Sequence, residues 1–238
     1  MGADRRIKEV WKIEELAFDK RTLMTLGKLI EDGAFDKLDY IISPGKEASV
    51  FRAKSGDSFV AVKIYRNETS HFIKKMDYLI GDPRFKKIKM EGYSIIKLFV
   101  QKEFKNLSAA EKAGVPAPRP INYKNNILVM SFIGKDGLPF GRMADVKKEV
   151  IEEDFHNIID SIRKLWKAGI VHSDLSEYNI LLGDKPYLID MSEGVSVRHP
   201  KANEFLLRDI VNISSFFKKS LGLNSDPRKI FEKITKGG

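Results

Sequence analysis

The sequence predicts an α+β protein in which an antiparallel sheet lobe is followed by a helical lobe. Three observations carry that prediction: short β-rich runs broken by PGK and SGD turns from Tyr40 to Tyr65, a helical apolar stripe from Phe155 to Trp166, and a last amphipathic stretch from Glu204 to Ser220. At 238 residues the chain is long enough to bury roughly 70–75% of its unfolded surface, so a sizeable core is available.

Residues 1–37 read as an N-terminal helical extension, with Leu23, Leu26, Leu29 and Ile30 at helix spacing and Gly33 as the stop. The runs YII, SVFRA and FVAVKIY then make an antiparallel meander inside a sheet lobe over 38–130. Residues 66–90 have little periodicity and seven Lys/Arg (Arg66, Lys74, Lys75, Arg84, Lys86, Lys87 and Lys89), and are expected to be a mobile basic excursion.

A helix is expected from Gly92 to Ala113, ended by Gly114, after which VPAPRPI forces extended chain because Pro lacks an N–H and restricts its predecessor. NILVMSFI reads as a buried strand. In the helical lobe, 131–238, Asp154 is expected to cap a helix whose core face is Phe155, Ile158, Ile159, Ile162, Leu165 and Trp166, with Gly169 as its end. IVHSDLSEYNILL, a short strand YLID and the last helix complete the chain.

Composition narrows the chemistry. With no cysteine there are no disulfides, thiolate zinc sites or cysteine nucleophiles, which fits a reducing cytoplasm. No apolar run approaches the ~18–20 residues that span a bilayer, and the charged start MGADRRIKEVWKIEE is unlike a signal peptide; the expectation is a cytoplasmic protein with no membrane partner. The surplus of 42 Lys+Arg over 33 Asp+Glu, +9, suits RNA or nucleotide phosphates and equally a solvated basic surface.

Two segments carry chemistry. SPGKEASV, Ser43 to Val50, lies between strand-like runs and is followed by Lys63 in VAVK; it resembles a reduced version of the kinase glycine loop GxGxxGxV, with Ser43, Gly45 and Ala48 at the glycine positions and Val50 in register. A phosphate-binding Lys63 needs a carboxylate partner, and Glu103 in QKEFKNL is the candidate. The second segment, His172 to Asn179, matches HxDLxxxN, and Asp190 follows eleven residues later at the end of an apolar strand. Kinase chemistry needs that set: Asp174 accepts or orients the proton of the attacking hydroxyl, while Asn179 and Asp190 hold Mg²⁺ against phosphate. Met130, Ser131 and Ile133 lie where a hinge would present backbone C=O and N–H groups to an adenine edge.

Together SPGKEASV, VAVKIYR, GDPRF, KEFKNL, LVMSFIG, HSDLSEYN, LIDM and VRHP resemble the RIO atypical protein kinases, most of all the type-one branch and its compact archaeal members, over roughly residues 18–220. The resemblance implies a trimmed bilobal protein-kinase-like fold with an N-terminal helical extension and a flexible loop over 66–90. It implies that Lys63 binds phosphate and pairs with Glu103, that Ser43, Lys46, Glu47, Ala48 and Val50 form the phosphate loop, that Asp174 is catalytic, and that Asn179 and Asp190 bind Mg²⁺ or Mn²⁺. Asp190 is also the position at which some RIO proteins form an aspartyl phosphate. The partners implied are ATP, the chain itself as phosphoacceptor, and the pre-small-subunit ribosomal particle with its rRNA.

Three departures stand out: Pro44 for a common Thr, Ser131 for a common hinge Glu, and Glu193 for a usual Gln. Glu193 either strengthens cation affinity or repels phosphate, depending on where its side chain points. Only 48 residues follow Asp190 and none forms an APE-like segment, so slow autophosphorylation or ATPase switching is expected before peptide phosphorylation. The expected function is an ATP- and Mg²⁺-dependent serine/threonine kinase and ATPase acting in small-subunit maturation. Two alternatives remain: an RNA-binding assembly factor that uses ATP as a conformational switch, and an aminoglycoside-type small-molecule phosphotransferase.

Overall fold

A computed structural model describes residues 18–66, 72–73, 75–85 and 92–237. Contacts divide the chain into two compact units. The described residues of the first are 18–66, 72–73, 92–104 and 119–132; those of the second are 75–85, 105–118 and 133–237. The sequence places one boundary after residue 130. The observed grouping changes at 132, and it assigns 75–85 and 105–118 to the second unit. Residues 1–17 of the expected extension lie outside the described residues, as do Lys74, Lys86, Lys87 and Lys89 of the basic stretch.

The first unit is built on a five-stranded antiparallel sheet in the order β1-β2-β3-β5-β4, with β1 Lys37–Ser43, β2 Ala48–Ser55, β3 Ser58–Tyr65, β4 Pro120–Lys124 and β5 Ile127–Ser131. Helix α1, Lys20–Glu31, starts where the Asp19 carboxylate accepts the Thr22 N–H at 2.9 Å, an ordinary N-cap. Its Leu26 and Leu29 meet Val60, Val62 and Ile64 of β3 and Ile127 and Val129 of β5 in one apolar cluster. Alternation along β3 sends Lys63 and Tyr65 to the opposite face. There helix α2, Tyr93–Lys112, presents Glu103, while Phe72 packs between the rings of Tyr65 and Phe99 at 5.9 and 5.2 Å. Residues 93–104 of α2 belong to this unit and 105–112 to the second.

In the second unit the small strands β6 Gly134–Lys135 and β7 Leu138–Pro139 pair with each other, and β8 Gly141–Arg142 joins a second sheet described below. Helix α3 is Glu152–Lys167, and Phe155, Ile158, Ile162 and Leu165 are buried along one face, whereas Ile159 and Trp166 of the expected face lie at its margin and are half-buried. Asp154 is not its N-cap. It sits at the third helical position, and its carboxylate accepts the Ile151 N–H at 3.0 Å, which is half of a capping box because Ile151 has no acceptor of its own. After β9, Ile170–Val171, the chain forms β10 Ile180–Leu182 and β11 Pro186–Leu188, antiparallel to each other, with β8 on the other side of β10. Strand β12, Val195–Ser196, pairs with β9. Helix α4, Ala202–Leu221, packs on α3 through Phe155 and Phe217, whose rings are 5.3 Å apart.

A further helix, α5, Pro227–Lys236, lies beyond the last one expected. Its signal was present: Asp226 accepts the N–H groups of Arg228 and Lys229, and Pro227 fills the first helical position, where a missing N–H costs nothing. Among the described residues, no helix is long and apolar enough to cross a membrane.

Candidate active site

The functional side chains fall into two groups, one in each unit. In the first unit the turn Pro44–Glu47 joins β1 to β2, and register aligns Ser43, Val50, Lys63 and Leu128 in one row across four strands. Gly45 is required sterically, because a Cβ there would run into the carbonyl oxygen of Ala48. Ser43 and Ala48 flank that turn, and the Glu47 carbonyl accepts the Arg66 N–H at 2.8 Å. Lys46 lies within the turn. Lys63 Nζ is 2.8 Å from Glu103 Oε1, with side chains only 6% and 1% exposed, and the Tyr65 hydroxyl donates to Glu103 Oε2. The pairing expected from sequence is therefore present: one buried carboxylate holds Lys63 in a single orientation.

Met130 and Ser131 end β5 in the same unit, Met130 opposite Ala61 and Ser131 opposite Val60. Ser131 exchanges hydrogen bonds with Arg119: its Oγ accepts the Arg119 N–H at 2.8 Å and its N–H donates to the Arg119 carbonyl at 2.8 Å. Ile133 opens the second unit, and its carbonyl accepts the Phe140 N–H at 3.3 Å.

The second group is the loop from His172 to Asn179 together with Asp190. Asn179 Nδ2 donates to the Asp174 carbonyl at 2.7 Å and to Asp174 Oδ2 at 3.0 Å, which turns the amide oxygen, an acceptor, away from that carboxylate. His172 does not face solvent; its Nε2–H donates to the Ile189 carbonyl at 3.0 Å. The Ile189 N–H in turn donates to the Asn179 carbonyl at 3.0 Å. Both backbone polar groups of Ile189 are thus fastened to the loop, so Asp190 enters at a fixed place. Ser192 Oγ donates to Asp190 Oδ1 at 2.8 Å. Ser173 and Asp190 adopt φ of +70° and +58°, a backbone region costly for residues with a Cβ and common where geometry serves chemistry.

Asp174 has an open edge to solvent, yet the surrounding protein, followed by the charges of Glu193 and Asp190, pushes its pKa up to about 6; Lys75 and the Asn179 amide oppose the shift. The donor set is oxygen only, a carboxylate and an amide carbonyl. That suits a hard cation such as Mg²⁺, which keeps several waters and takes few protein ligands, and among the described residues no three Asp, Glu, His or Cys side chains converge into a closed metal centre.

Besides Tyr65 and Ser192, two residues escape the sequence reading. Asp209 of α4 is fully buried, and its two oxygens accept the N–H groups of Ser173 at 2.8 Å and Leu175 at 2.9 Å, clamping the backbone on both sides of Asp174. Burial raises its pKa to about 6, against the pull of His172, those two N–H groups and Arg208. Its signal was a charged residue on the apolar face between Leu206 and Ile210. The other is Lys75, whose ammonium lies 2.5 Å from Glu193 Oε1 and which the sequence showed only as one of seven basic residues.

Comparison with known proteins fixes the family. The RIO domain matches residues 49–230. The chain belongs to the RIO family of serine/threonine-protein kinases. The RIO-type serine/threonine-protein kinase Rio1 of Thermoplasma acidophilum is 48% identical to it over 187 residues, covering 79% of this chain and 99% of that protein. Rio1 of Haloferax volcanii is 40% identical over 227 residues, covering 94% and 78%. Among solved structures, the Rio2 kinase of Chaetomium thermophilum in an ADP/Mg²⁺-phosphoaspartate complex superposes with a TM-score of 0.69 at 21% identity, over 99% of this chain and 75% of that one. The RIO chain accordingly has the protein-kinase-like α+β fold that its motifs predict.

Proposed function

We propose that this RIO chain is a Mg²⁺-dependent ATP phosphotransferase and ATPase that phosphorylates serine or itself, working in the cytoplasm on the maturing small ribosomal subunit. The observation that carries the chemistry is the oxygen cluster of Asp174, Asn179 and Asp190 on a backbone held by Asp209 and by both polar groups of Ile189. Family membership and the +9 charge support an rRNA-bearing particle as partner, since a basic protein gains affinity by neutralising RNA phosphates.

Asp174 accepts the proton of the attacking hydroxyl as that oxygen bonds to the γ-phosphorus. Its raised pKa brings it closer to the range in which a base both exists ionised and takes up a proton readily. Lys63, fixed by Glu103, neutralises a nucleotide phosphate, and the Ser43–Val50 turn, with Lys46, Glu47 and Ala48, offers backbone N–H groups to phosphate oxygens. Met130, Ser131 and Ile133 supply backbone groups to the adenine. Asn179 and Asp190 hold Mg²⁺, which when bound supplies charge neutralisation on the phosphates. In the ATPase branch an Asp190 oxygen attacks the γ-phosphorus, ADP departs with the bond electrons, and water then hydrolyses the acyl phosphate to inorganic phosphate. The phosphoaspartate of the Chaetomium Rio2 complex supports this branch.

Purified wild type and Asp174→Ala incubated with γ-labelled ATP and Mg²⁺ test the reading, with free phosphate and protein-bound label followed separately. Wild-type turnover lost in the variant, with ATP binding retained, is the expected result. Equal binding with no turnover in either protein, even with ribosomal subunits added, favours a nucleotide-dependent switch. Label on Asp190 is distinguished by its release with hydroxylamine.

A further inference from the structure

Glu193 is buried, three residues beyond Asp190, and its charge is felt at Asp174. Without a counter-ion it would place a third negative charge, beside those of Asp174 and Asp190, where the proposed reaction must admit a polyphosphate. The Lys75 ammonium, 2.5 Å from Glu193 Oε1, is a counter-ion to it.

Lys75 is not a loose surface lysine that happens to lie nearby. It begins a strap, residues 75–85, that is tied to 193–201 along its length. Asp82 accepts the Ser196 N–H at 3.2 Å, and Arg84, paired with Asp82 at 2.7 Å, donates to the Gly194 carbonyl at 3.2 Å. His199 Nε2 faces the carbonyl oxygens of Asp77 and Ile80 at 3.0 and 2.8 Å, and Lys201 pairs with Asp77 at 2.8 Å. A Cβ on Gly81, at φ +91°, would sit 2.9 Å from Pro200 Cδ, so the two segments also touch too closely for any side chain there. Leu79 and Phe85 are buried. These contacts order the strap independently of Lys75, so its ion pair with Glu193 escapes much of the ordering cost that makes exposed pairs weak.

We propose that Lys75 is a positioning residue that cancels the charge of Glu193 and so keeps the catalytic carboxylate cluster open to nucleotide phosphate. The pair resolves the choice left by the sequence: Glu193 is held as a neutralised partner of the strap, neither a free metal ligand nor a free repelling charge. The inference rests on the phosphotransferase reading above. It assigns Lys75 no contact with phosphate, which makes it separable from the simpler idea of a second phosphate-binding lysine.

The test is equilibrium binding of Mg·ATP by calorimetry, alongside KM and kcat for the ATPase, in full-length wild type, Lys75→Met, Glu193→Gln and the double variant. Thermal melting of each verifies that it is folded. Lys75→Met is expected to weaken Mg·ATP binding and raise KM on the order of tenfold, as removing an ammonium 2.5 Å from a buried carboxylate does, with kcat changed far less. The double variant is expected to return to within about twofold of wild type, because the repelling charge has gone with its counter-ion. Lys75→Arg, which keeps the charge, should bind Mg·ATP as wild type does. An Mg·ATP affinity unchanged in Lys75→Met, or a loss that Glu193→Gln does not relieve, overturns the proposal; the second result would mark Lys75 as a direct phosphate ligand. If wild type itself binds no Mg·ATP, the functional reading falls and this inference falls with it, whereas binding that is indifferent to Lys75 removes the inference alone.

Discussion

Lys63–Glu103 and the Asp174 loop use charge under opposite conditions. The ion pair is shut between a sheet and a helix, with both partners almost fully buried and the Tyr65 hydroxyl donating to the same carboxylate. Asp174 keeps an open edge and is flanked by other acids, while its backbone is pinned by a buried Asp209. The difference teaches a division of labour. Where a charge must only hold one place, dry surroundings and a dedicated partner fix it; where, in the proposed reaction, a proton moves, the carboxylate stays accessible and rigidity is delegated to the main chain.

Breaking each side of this comparison should have different signatures. The largest effect is expected from Asp174→Ala, which should lower turnover by ~10²–10⁴-fold while sparing ATP affinity, measured by phosphate release and equilibrium binding; undiminished turnover would remove Asp174 from the chemistry. Glu103→Ala should instead be a stability lesion of about 3–5 kcal/mol, since it takes the shared carboxylate away from a buried ammonium and phenol. Urea unfolding reads that cost, and a change below about 1 kcal/mol would show that water reaches Lys63.

The next effect is pH-dependent. Asp209 ionises near 3.8 in the unfolded chain and near 6 in the folded one, so between those values the folded state holds a proton that the unfolded state has released. Stability should therefore fall as pH rises from about 4 to about 6, by on the order of 3 kcal/mol from this residue, and the Asp209 contribution should be level above that window. Asp174 adds to the slope in the same direction, screened by its solvent-facing edge. Comparing urea midpoints of wild type and Asp209→Asn across this window isolates the buried residue, because the amide has no proton to release; an unchanged slope would contradict the assignment. The smallest effect is expected from Ser192→Ala, which removes the 2.8 Å hydrogen bond to Asp190 Oδ1. Worth about 1 kcal/mol, it should appear as a change of several-fold in the Mg²⁺ concentration needed for half-maximal rate.

The same contrast explains what the sequence could and could not tell. HxDLxxxN places Asp174 and Asn179 within one turn of chain, so their association is local and the motif displays it. Lys63 needed a distant carboxylate, and Glu103 could be chosen because it stood on an amphipathic helix directly after the basic stretch. Asp209 gave only the weak sign of an acid on an apolar helix face, and its partners lie 36 and 34 residues away. Lys75 gave none: seven basic residues in a stretch without periodicity look alike until Asp82, Arg84 and His199 tie down the strap around one of them. Asp154 reads as a cap yet stands three positions inside the helix, because an acid at the third helical residue and an acid at the cap leave the same mark in sequence. Strand order in the sheet was legible only as a meander over 40–65, since the insertion of β5 between β3 and β4 is set by long-range pairing.

Fastening Ile189 at both its N–H and its C=O has a consequence for observation as well as for geometry. A main-chain amide bonded to the Asn179 carbonyl and adjoining Asp190 should exchange slowly with solvent deuterium and hold a sharp resonance. Its frequency would then register any proton, cation or phosphoryl group arriving on the neighbouring carboxylate, giving a native spectroscopic gauge of the site that needs neither radiolabel nor substitution.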